Sequence, residues 1–264
     1  WDAVALPSAT QVTITGAGAD FVAGSSTTLE VEVQDALGAV VATDNTTQIT
    51  FTPASQGQIT GVVTGVNISG TGAVGNPRVV EVTAGVAKVT VENTTAETFT
   101  IAITNDAALA NPADDSIIVS AAAASAATLT TPAPDFVAGE SSNQTIQIYD
   151  TYGNLVSTDN TTQITYTPTL SGAATAVVVG TNISGTGLPG AARVVEVAGG
   201  MSKITLEDTV VETFEVAFAN DGGLSNPAND SIIVSAAPVI VANKTIGGLG
   251  SAVTTAGTSL THFG

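Results

Sequence analysis

Cysteine is absent from this chain of 264 residues, so disulfides, thiolate metal centres and cysteine nucleophiles are excluded. Cationic side chains are scarce too: 5 Lys and Arg stand against 23 Asp and Glu, for a formal net charge of −18. A surface of that sign repels a phosphate backbone, which argues against nucleic-acid binding. It disfavours an anionic membrane surface for the same reason. The single histidine, His262, lies beside the C-terminal end without a counterpart elsewhere, and reads as a solvated tail residue. Aromatics are only 4% of the residues, too few for the stacking platforms that sugar sites usually offer. The one suggestive pair, Tyr149 and Tyr152, flanks a single turn. No apolar run approaches the roughly 18 residues of a membrane span. No initiator Met precedes Trp1, so a processed or cut chain is expected.

What the chain does have is itself, twice. TDNTTQIT occurs at Thr43–Thr50 and again at Thr158–Thr165, an offset of 115 residues. The same offset relates DFVAG at Asp20 and Asp135, NISGTG at Asn67 and Asn182, and RVVEV at Arg78 and Arg193. It also relates NPADDSIIVSAA at Asn111 to NPANDSIIVSAA at Asn226, with no insertion in between. A period of this length is a whole domain and not a solenoid unit. The chain therefore divides into a stub at 1–8, one domain at 9–122, a second at 123–237, and a tail at 238–264. Each repeat is long enough to bury a core of its own.

Mean hydropathy is positive, +0.37, so the acidity is not that of a disordered tail. In TTLEVEVQD, Leu29, Val31 and Val33 alternate with Glu30, Glu32 and Gln34, the period-two pattern of a half-buried strand. QTIQIYD repeats it with Ile146 and Ile148. Similar alternation places Ile49 and Phe51, Val89 and Val91, and Phe99, Ile101 and Ile103 inward. Their counterparts are Ile164 and Tyr166, Ile204 and Leu206, and Phe214, Val216 and Phe218. Gly, Asn, Asp and Pro clusters such as DTYGN and SGTG punctuate the runs as turns. Seven to nine short strands per repeat, all antiparallel by loop length, predict an all-β chain of two tandem β-sandwiches.

The strand and turn residues carry a resemblance. DTYGNLV (Asp150–Val156) followed by TQITYTP (Thr162–Pro168) resembles the strand–turn–strand entry of bacterial immunoglobulin-like repeats of the invasin and intimin type. GVAKVTVENTTAETFTIAI (Gly85–Ile103) and GMSKITLEDTVVETFEVAF (Gly200–Phe218) are similar to the closing hairpin of that family. The resemblance implies an immunoglobulin-like fold and a stalk, spacer or surface-fibre role. Three departures stand out: Ala39 where the family favours Asn, and Glu97 and Glu212 where it often has Gly. Nothing resembles the lectin-like tip with which invasin-type proteins bind receptors, so receptor recognition is not implied.

Candidate chemistry is thin. Glu81 with Glu196, or Glu92 with Glu207, imitates a glycosidase carboxylate pair. Each of these sits on the polar face of an alternating strand, and every one is duplicated, which argues against a single active centre. SGTG does not open a helix and is a turn, not a phosphate loop. The repeated loops Asn105–Ser116 and Asn220–Ser231 carry Asp106, Asp114, Asp115, Asp221 and Asp230, an all-oxygen set of the kind that holds calcium on secreted modules. Asp44 and Asp159 are a weaker candidate for the same ion. Of 8 Asn-x-Ser/Thr sequons, those at Asn67 and Asn182, read as loop sites, are the leading glycosylation candidates, followed by Asn45 and Asn160. In register, the tail 238–264 offers the first-strand pattern PVIVANKTI, expected to be either a donor strand or the start of a further repeat.

These observations lead to an extracellular, cell-surface structural protein without enzymatic activity, a subunit of a filament or surface layer. Its expected partners are copies of itself or other surface proteins. A stalk fragment of a large adhesin is the alternative, with a calcium- or carbohydrate-binding module behind it.

Overall fold

A computed structural model describes residues 8–239; the tail from 240 onward, including His262 and most of the expected donor segment, lies outside the described residues. The first repeat supplies ten strands: β1 (Gln11–Gly16), β2 (Phe21–Val22), β3 (Ser26–Gln34), β4 (Gln48–Pro53), β5 (Gln58–Thr64), β6 (Val66–Ser69), β7 (Arg78–Glu81), β8 (Val86–Glu92), β9 (Thr98–Asn105) and β10 (Asp115–Ser120). The second repeat supplies β11 (Ala124–Thr131), β12 (Phe136–Val137), β13 (Ser141–Asp150), β14 (Gln163–Pro168), β15 (Ala173–Val179), β16 (Thr181–Ser184), β17 (Arg193–Glu196), β18 (Met201–Glu207), β19 (Thr213–Asn220) and β20 (Asp230–Ser235). Among the described residues there is no helix. In each repeat a four-stranded sheet faces a six-stranded one, in the orders β1-β3-β8-β5 and β2-β10-β9-β4-β7-β6, then β11-β13-β18-β15 and β12-β20-β19-β14-β17-β16. The chain is thus two tandem immunoglobulin-like β-sandwiches.

One expectation is corrected by the pairing. The sheets are not wholly antiparallel: β2 runs parallel to β10, and β12 parallel to β20. DFVAG carries the second half of the opening strand. After β1 has paired with β3, the chain bends through Gly16–Asp20 and crosses to the opposite sheet. A strand that changes sheets reaches its new neighbour in whichever direction it already points, and loop length says nothing about that. The bend is held by carboxylates. Asp115 Oδ2 accepts from the Gly18 amide at 2.7 Å, and Asp20 Oδ1 accepts from the Ile118 amide at 2.8 Å. The second repeat repeats both, with Asp230 on Ala133 and Asp135 on Ile233, each at 2.8 Å.

The period-two reading of the core holds at nearly every position. Leu29, Val31, Val33, Ile49, Phe51, Val89 and Val91 are fully enclosed, as are Ile146, Ile148, Ile164, Ile204 and Leu206. Each such side chain contributes about 1.5–3 kcal/mol on burial. Phe218 is the exception: it is only half-buried and meets the Tyr166 ring edge-to-face at 5.8 Å. The compact units also differ from the sequence repeats. Among the described residues, the first unit comprises 8–126 together with 148–159, and the second comprises 127–147 and 160–239.

TDNTTQIT is a side-chain-closed turn leading into a core strand. Asp44 Oδ1 accepts from the amides of Thr46 and Thr47 at 2.9 and 3.0 Å, and its Oδ2 accepts from the Thr47 hydroxyl at 2.6 Å. Asn45 Oδ1 meanwhile accepts from the Ala84 amide at 2.8 Å. Partial burial pushes the Asp44 carboxyl up, but the bonds from Thr47 and Thr46 outweigh it and hold the group below its ordinary value of 3.8.

The two cores differ by a matched exchange. Phe51 and Ala87 of the first repeat become Tyr166 and Ser202 in the second. The Tyr166 hydroxyl, fully enclosed, shares a short hydrogen bond with Ser202 Oγ. Burial drives the phenol well above its usual range.

Two outcomes are expected. Ser202→Ala leaves a buried phenol with only its long, 3.5 Å bond to the carbonyl of residue 202 and should cost about 1–3 kcal/mol, whereas Tyr166→Phe with Ser202→Ala restores the pairing of the first repeat and should cost less than Ser202→Ala alone. A double-mutant cycle by denaturant unfolding reads this coupling. For Asp44, the folded value is depressed, so its stabilisation is present above the unfolded value of about 3.9 and is lost as pH falls through the folded value. Asp44→Asn should therefore destabilise at pH 7 by about 1 kcal/mol, the scale of one such bond, with the gap to wild type closing below about pH 4 in thermal melts.

Candidate functional sites

The acidic loop residues do not converge. Asp115 is buried at the head of β10 and is committed to the Gly18 amide; Asp230 holds the Ala133 amide and also accepts from Gln144 Nε2 at 2.6 Å. Asp106 and Asp221 each cap the start of a core strand, accepting from the Gln48 and Gln163 amides at 2.8 Å. Asp114 is exposed. Among the described residues no group of three or more His, Cys, Asp or Glu side chains comes together that could hold a metal ion. The role of Asp115 was available in the sequence and missed. In DSIIVS it falls on the same alternating face as Ile117 and Val119, so the strand that buries them buries the carboxylate too.

The sequons Asn67 and Asn182 stand on strands and not on loops. They occupy β6 and β16, the outer strands of the two six-stranded sheets, where all four residues are exposed. Each is engaged by an arginine that sequence reasoning passed over. Arg78 donates from Nη1 to Asn67 Oδ1 at 2.9 Å, from Nε to the Ile59 carbonyl at 2.9 Å, and from Nη2 to the Thr71 carbonyl. Arg193 makes the matching set to Asn182, Ala174 and Thr186. The planar fork of the guanidinium fits three fixed acceptors at once. Gly72 and Gly187, at positive φ, bring the NISGTG turn close enough to receive it; a β-carbon there would collide with the carbonyl of Ile59 or Ala174. The signal lay in repetition: two of the five basic residues open the two RVVEV motifs. Asn45 and Asn160 accept from the Ala84 and Gly199 amides at 2.8 Å. Their carbonyl oxygens are occupied in closing turns.

The carboxylate pairs have strand positions only. Glu81 and Glu196 face Gln48 and Gln163 across the ladder, and Glu92 and Glu207 are exposed.

Tyr152 and Asn154 belong to a built contact within the first unit. Asp150 Oδ1 accepts from the amides of Tyr152 and Asn154 at 2.8 Å and so closes the turn. Burial raises the Asp150 carboxyl, but bonds from Asn154, Ala122 and Tyr152 outweigh it and hold the group below 3.8. Asn154 then donates from Nδ2 to the Thr94 carbonyl at 2.8 Å and accepts on Oδ1 from the Ala96 amide at 2.9 Å. Asp150 Oδ2 accepts from the Ala122 amide at 2.8 Å. Tyr152 lies over Gly24, where a β-carbon would collide with the phenol. Tyr152 thus rests its phenol on Gly24 while about half of the residue, 48%, stays exposed.

No protein-family profile and no curated protein sequence matches the chain. Solved structures of similar fold are numerous. The Escherichia coli adhesin FdeC is 17% identical over 89% of this chain, with a TM-score of 0.37; the chain spans 66% of it, slightly less than two thirds. Invasin, a bacterial integrin-binding protein, is 15% identical over 87% of this chain and 40% of its own, with a TM-score of 0.31. Domains 5–6 of the S-layer protein SbsC are 14% identical over 86% of this chain and 99% of theirs, also with a TM-score of 0.31. A β-glucuronidase of Parabacteroides merdae is similar at the same level, TM-score 0.30, so likeness of this degree concerns the sandwich fold and not what it does. In fold, the chain is similar to the immunoglobulin-like domains of bacterial adhesins of the invasin and intimin type.

Proposed function

We propose that this chain is a non-enzymatic, extracellular structural protein, a subunit of a cell-surface filament or surface layer whose copies join through β-strand contacts. The observation that carries the reading is the use made of the polar residues the two repeats share. Asp115 and Asp230 hold the sheet crossing, Arg78 and Arg193 clasp a turn, and Asp106 and Asp221 cap core strands. Repetition has kept a scaffold in which these polar groups are turned to its own backbone, on a chain with a formal net charge of −18. The outer strands β6 and β16 give an accessible edge, with Ile68 and Ile183 exposed on it. A donor segment adds to such an edge by main-chain bonds while its alternate side chains fill pockets. The tail Pro238–Gly264 is that segment in this reading.

A stalk segment of a long adhesin is the second reading, favoured by the uninterrupted 115-residue register. Negative-stain microscopy of the purified native protein separates the two: ordered filaments or sheets support the first, a soluble extended monomer the second. Deletion of Pro238–Gly264 should abolish ordered assembly. Filaments of unchanged form from the truncated chain would remove strand addition by the tail.

A further inference from the structure

The first unit contains a turn seated on a receiving face, and among the described residues there is one more of each without a mate. The second turn is Asp35–Ala39. It has the same internal geometry as Asp150–Asn154: Asp35 Oδ1 accepts from the amides of Leu37 and Ala39 at 2.9 Å, and the Asp35 amide donates to the Ala39 carbonyl at 2.9 Å. Its tip residue, Leu37, stands where Tyr152 stands in the other, and is 94% exposed. A leucine so bare at the end of a rigid, pre-closed turn is a knob without a socket.

The second receiving face lies at the offset positions. In the occupied face, Gly24 donates to the Asn93 carbonyl at 3.0 Å and Asn93 Oδ1 accepts from Thr95 at 2.8 Å, which shapes the 93–96 bend. In the second unit, Gly139 donates to the Asp208 carbonyl at 2.8 Å and Asp208 Oδ1 accepts from Val210 at 2.7 Å, the same bend. A β-carbon at Gly24 would run into Tyr152, but one at Gly139 meets nothing within 4 Å. Thr95 and Ala96 are half-buried, whereas Val210 and Val211 are 44% and 59% exposed. The Asp208 Oδ2 atom is buried without a partner among the described residues. Ala237, exposed, is the counterpart of Ala122, whose amide bonds Asp150.

The two mates differ from the joined pair in a matched way. The joined pair is polar on both sides: Asn154 bonds the backbone of a face made of Thr94, Thr95 and Ala96. The free face replaces Thr95 and Ala96 by Val210 and Val211, and the free turn replaces Tyr152 and Asn154 by Leu37 and Ala39. Polar meets polar in one, and apolar is offered to apolar in the other. The geometry points to a second copy of this chain as the occupant: the Asp35–Ala39 turn of one copy seats on the Gly139, Val210 and Val211 face of the next, with Leu37 over Gly139. Turn and face are different surfaces, so the contact is heterologous and repeats head to tail. This deepens the filament reading and rests on it. It supplies an end-to-end contact that does not use the tail.

The contact is small and lacks the two Asn154 bonds, so association is weak, and each chain carries a formal charge of −18. Copies repel at low salt and join more readily once that repulsion is screened, the reverse of a charge-driven interaction.

Sedimentation velocity of the full chain, from micromolar to near-millimolar concentration, tests this. Wild type is expected to form concentration-dependent linear oligomers that grow with added salt. Leu37→Asp disables the turn and Val211→Asp the face; both sites are exposed, and melting curves establish that the variants fold. Each variant alone should lose the salt-promoted association that wild type shows, and a mixture of the two should regain that association only as 1:1 pairs. Ala39→Asn, which reinstates the missing bonds, should tighten association about tenfold. The proposal is overturned if wild type stays monomeric, if either variant associates like wild type, or if the mixture stays monomeric. Association that appears only after Pro238–Gly264 is removed also overturns it, and assigns the face to the chain's own tail. Filaments lost on tail deletion but unchanged by Leu37→Asp would leave the surface-structural reading standing and this contact refuted.

Discussion

A carboxylate, buried in the first repeat and half-buried in the second, bonded to a backbone amide 97 residues away is the constraint on which each sandwich depends. The opening strand serves both sheets, and it does so only if the chain bends between them without stranding a buried amide. An unpaired amide there would cost on the order of 1–3 kcal/mol. Asp115 satisfies the Gly18 amide from the head of β10, while Asp20 accepts from the Ile118 amide farther along the same strand. The bend and the last strand are therefore fixed to one another, and the first and last strands of the repeat close the two sheets over one core. Gly18 allows a close approach, since a β-carbon there would press into Ile117. In the second repeat Ala133 occupies this place, and Gln144 replaces Leu29 to add a second donor to Asp230. The bond is the same, reached with a different packing.

The second core is the more polar of the two, and the differences come in complementary sets. Tyr166 arrives with Ser202, and Gln144 arrives beside Asp230. A single polar substitution in a close-packed core leaves an orphaned group, but a pair satisfies itself. Gln144 Oε1 and Ser142 Oγ are nonetheless without partners among the described residues. The second unit thus exchanges some apolar burial for hydrogen bonds it does not fully complete.

Much of this architecture is legible in the residues alone. Alternation with a period of two located the core strands because burial on one face leaves no freedom in register. What stayed hidden depends on contacts between residues far apart in the chain. The parallel pairing of β2 with β10 follows from a strand that changes sheets, which no local pattern encodes. The acidic loops looked like ion ligands because carboxylates, Asn and Gly in a loop read alike whether they face a cation or a backbone amide. Only the inward phase of Asp115 distinguished them. Arg78 and Arg193 were concealed differently: their acceptors are carbonyls, which no side-chain motif reports.

The departures between the repeats carry information of another kind. Positions at which the two copies agree serve the fold, and both copies use them alike. Asn154 against Ala39, Tyr152 against Leu37, and Thr95 and Ala96 against Val210 and Val211 all fall on one turn and one face. A resemblance that flags Ala39 as a departure from Asn marks a missing pair of hydrogen bonds. It is the geometry of Asn154 that identifies which bonds those are and which surface lacks them. The duplication therefore acts as an internal control: one copy shows the turn engaged, and the other shows the same turn waiting with different chemistry.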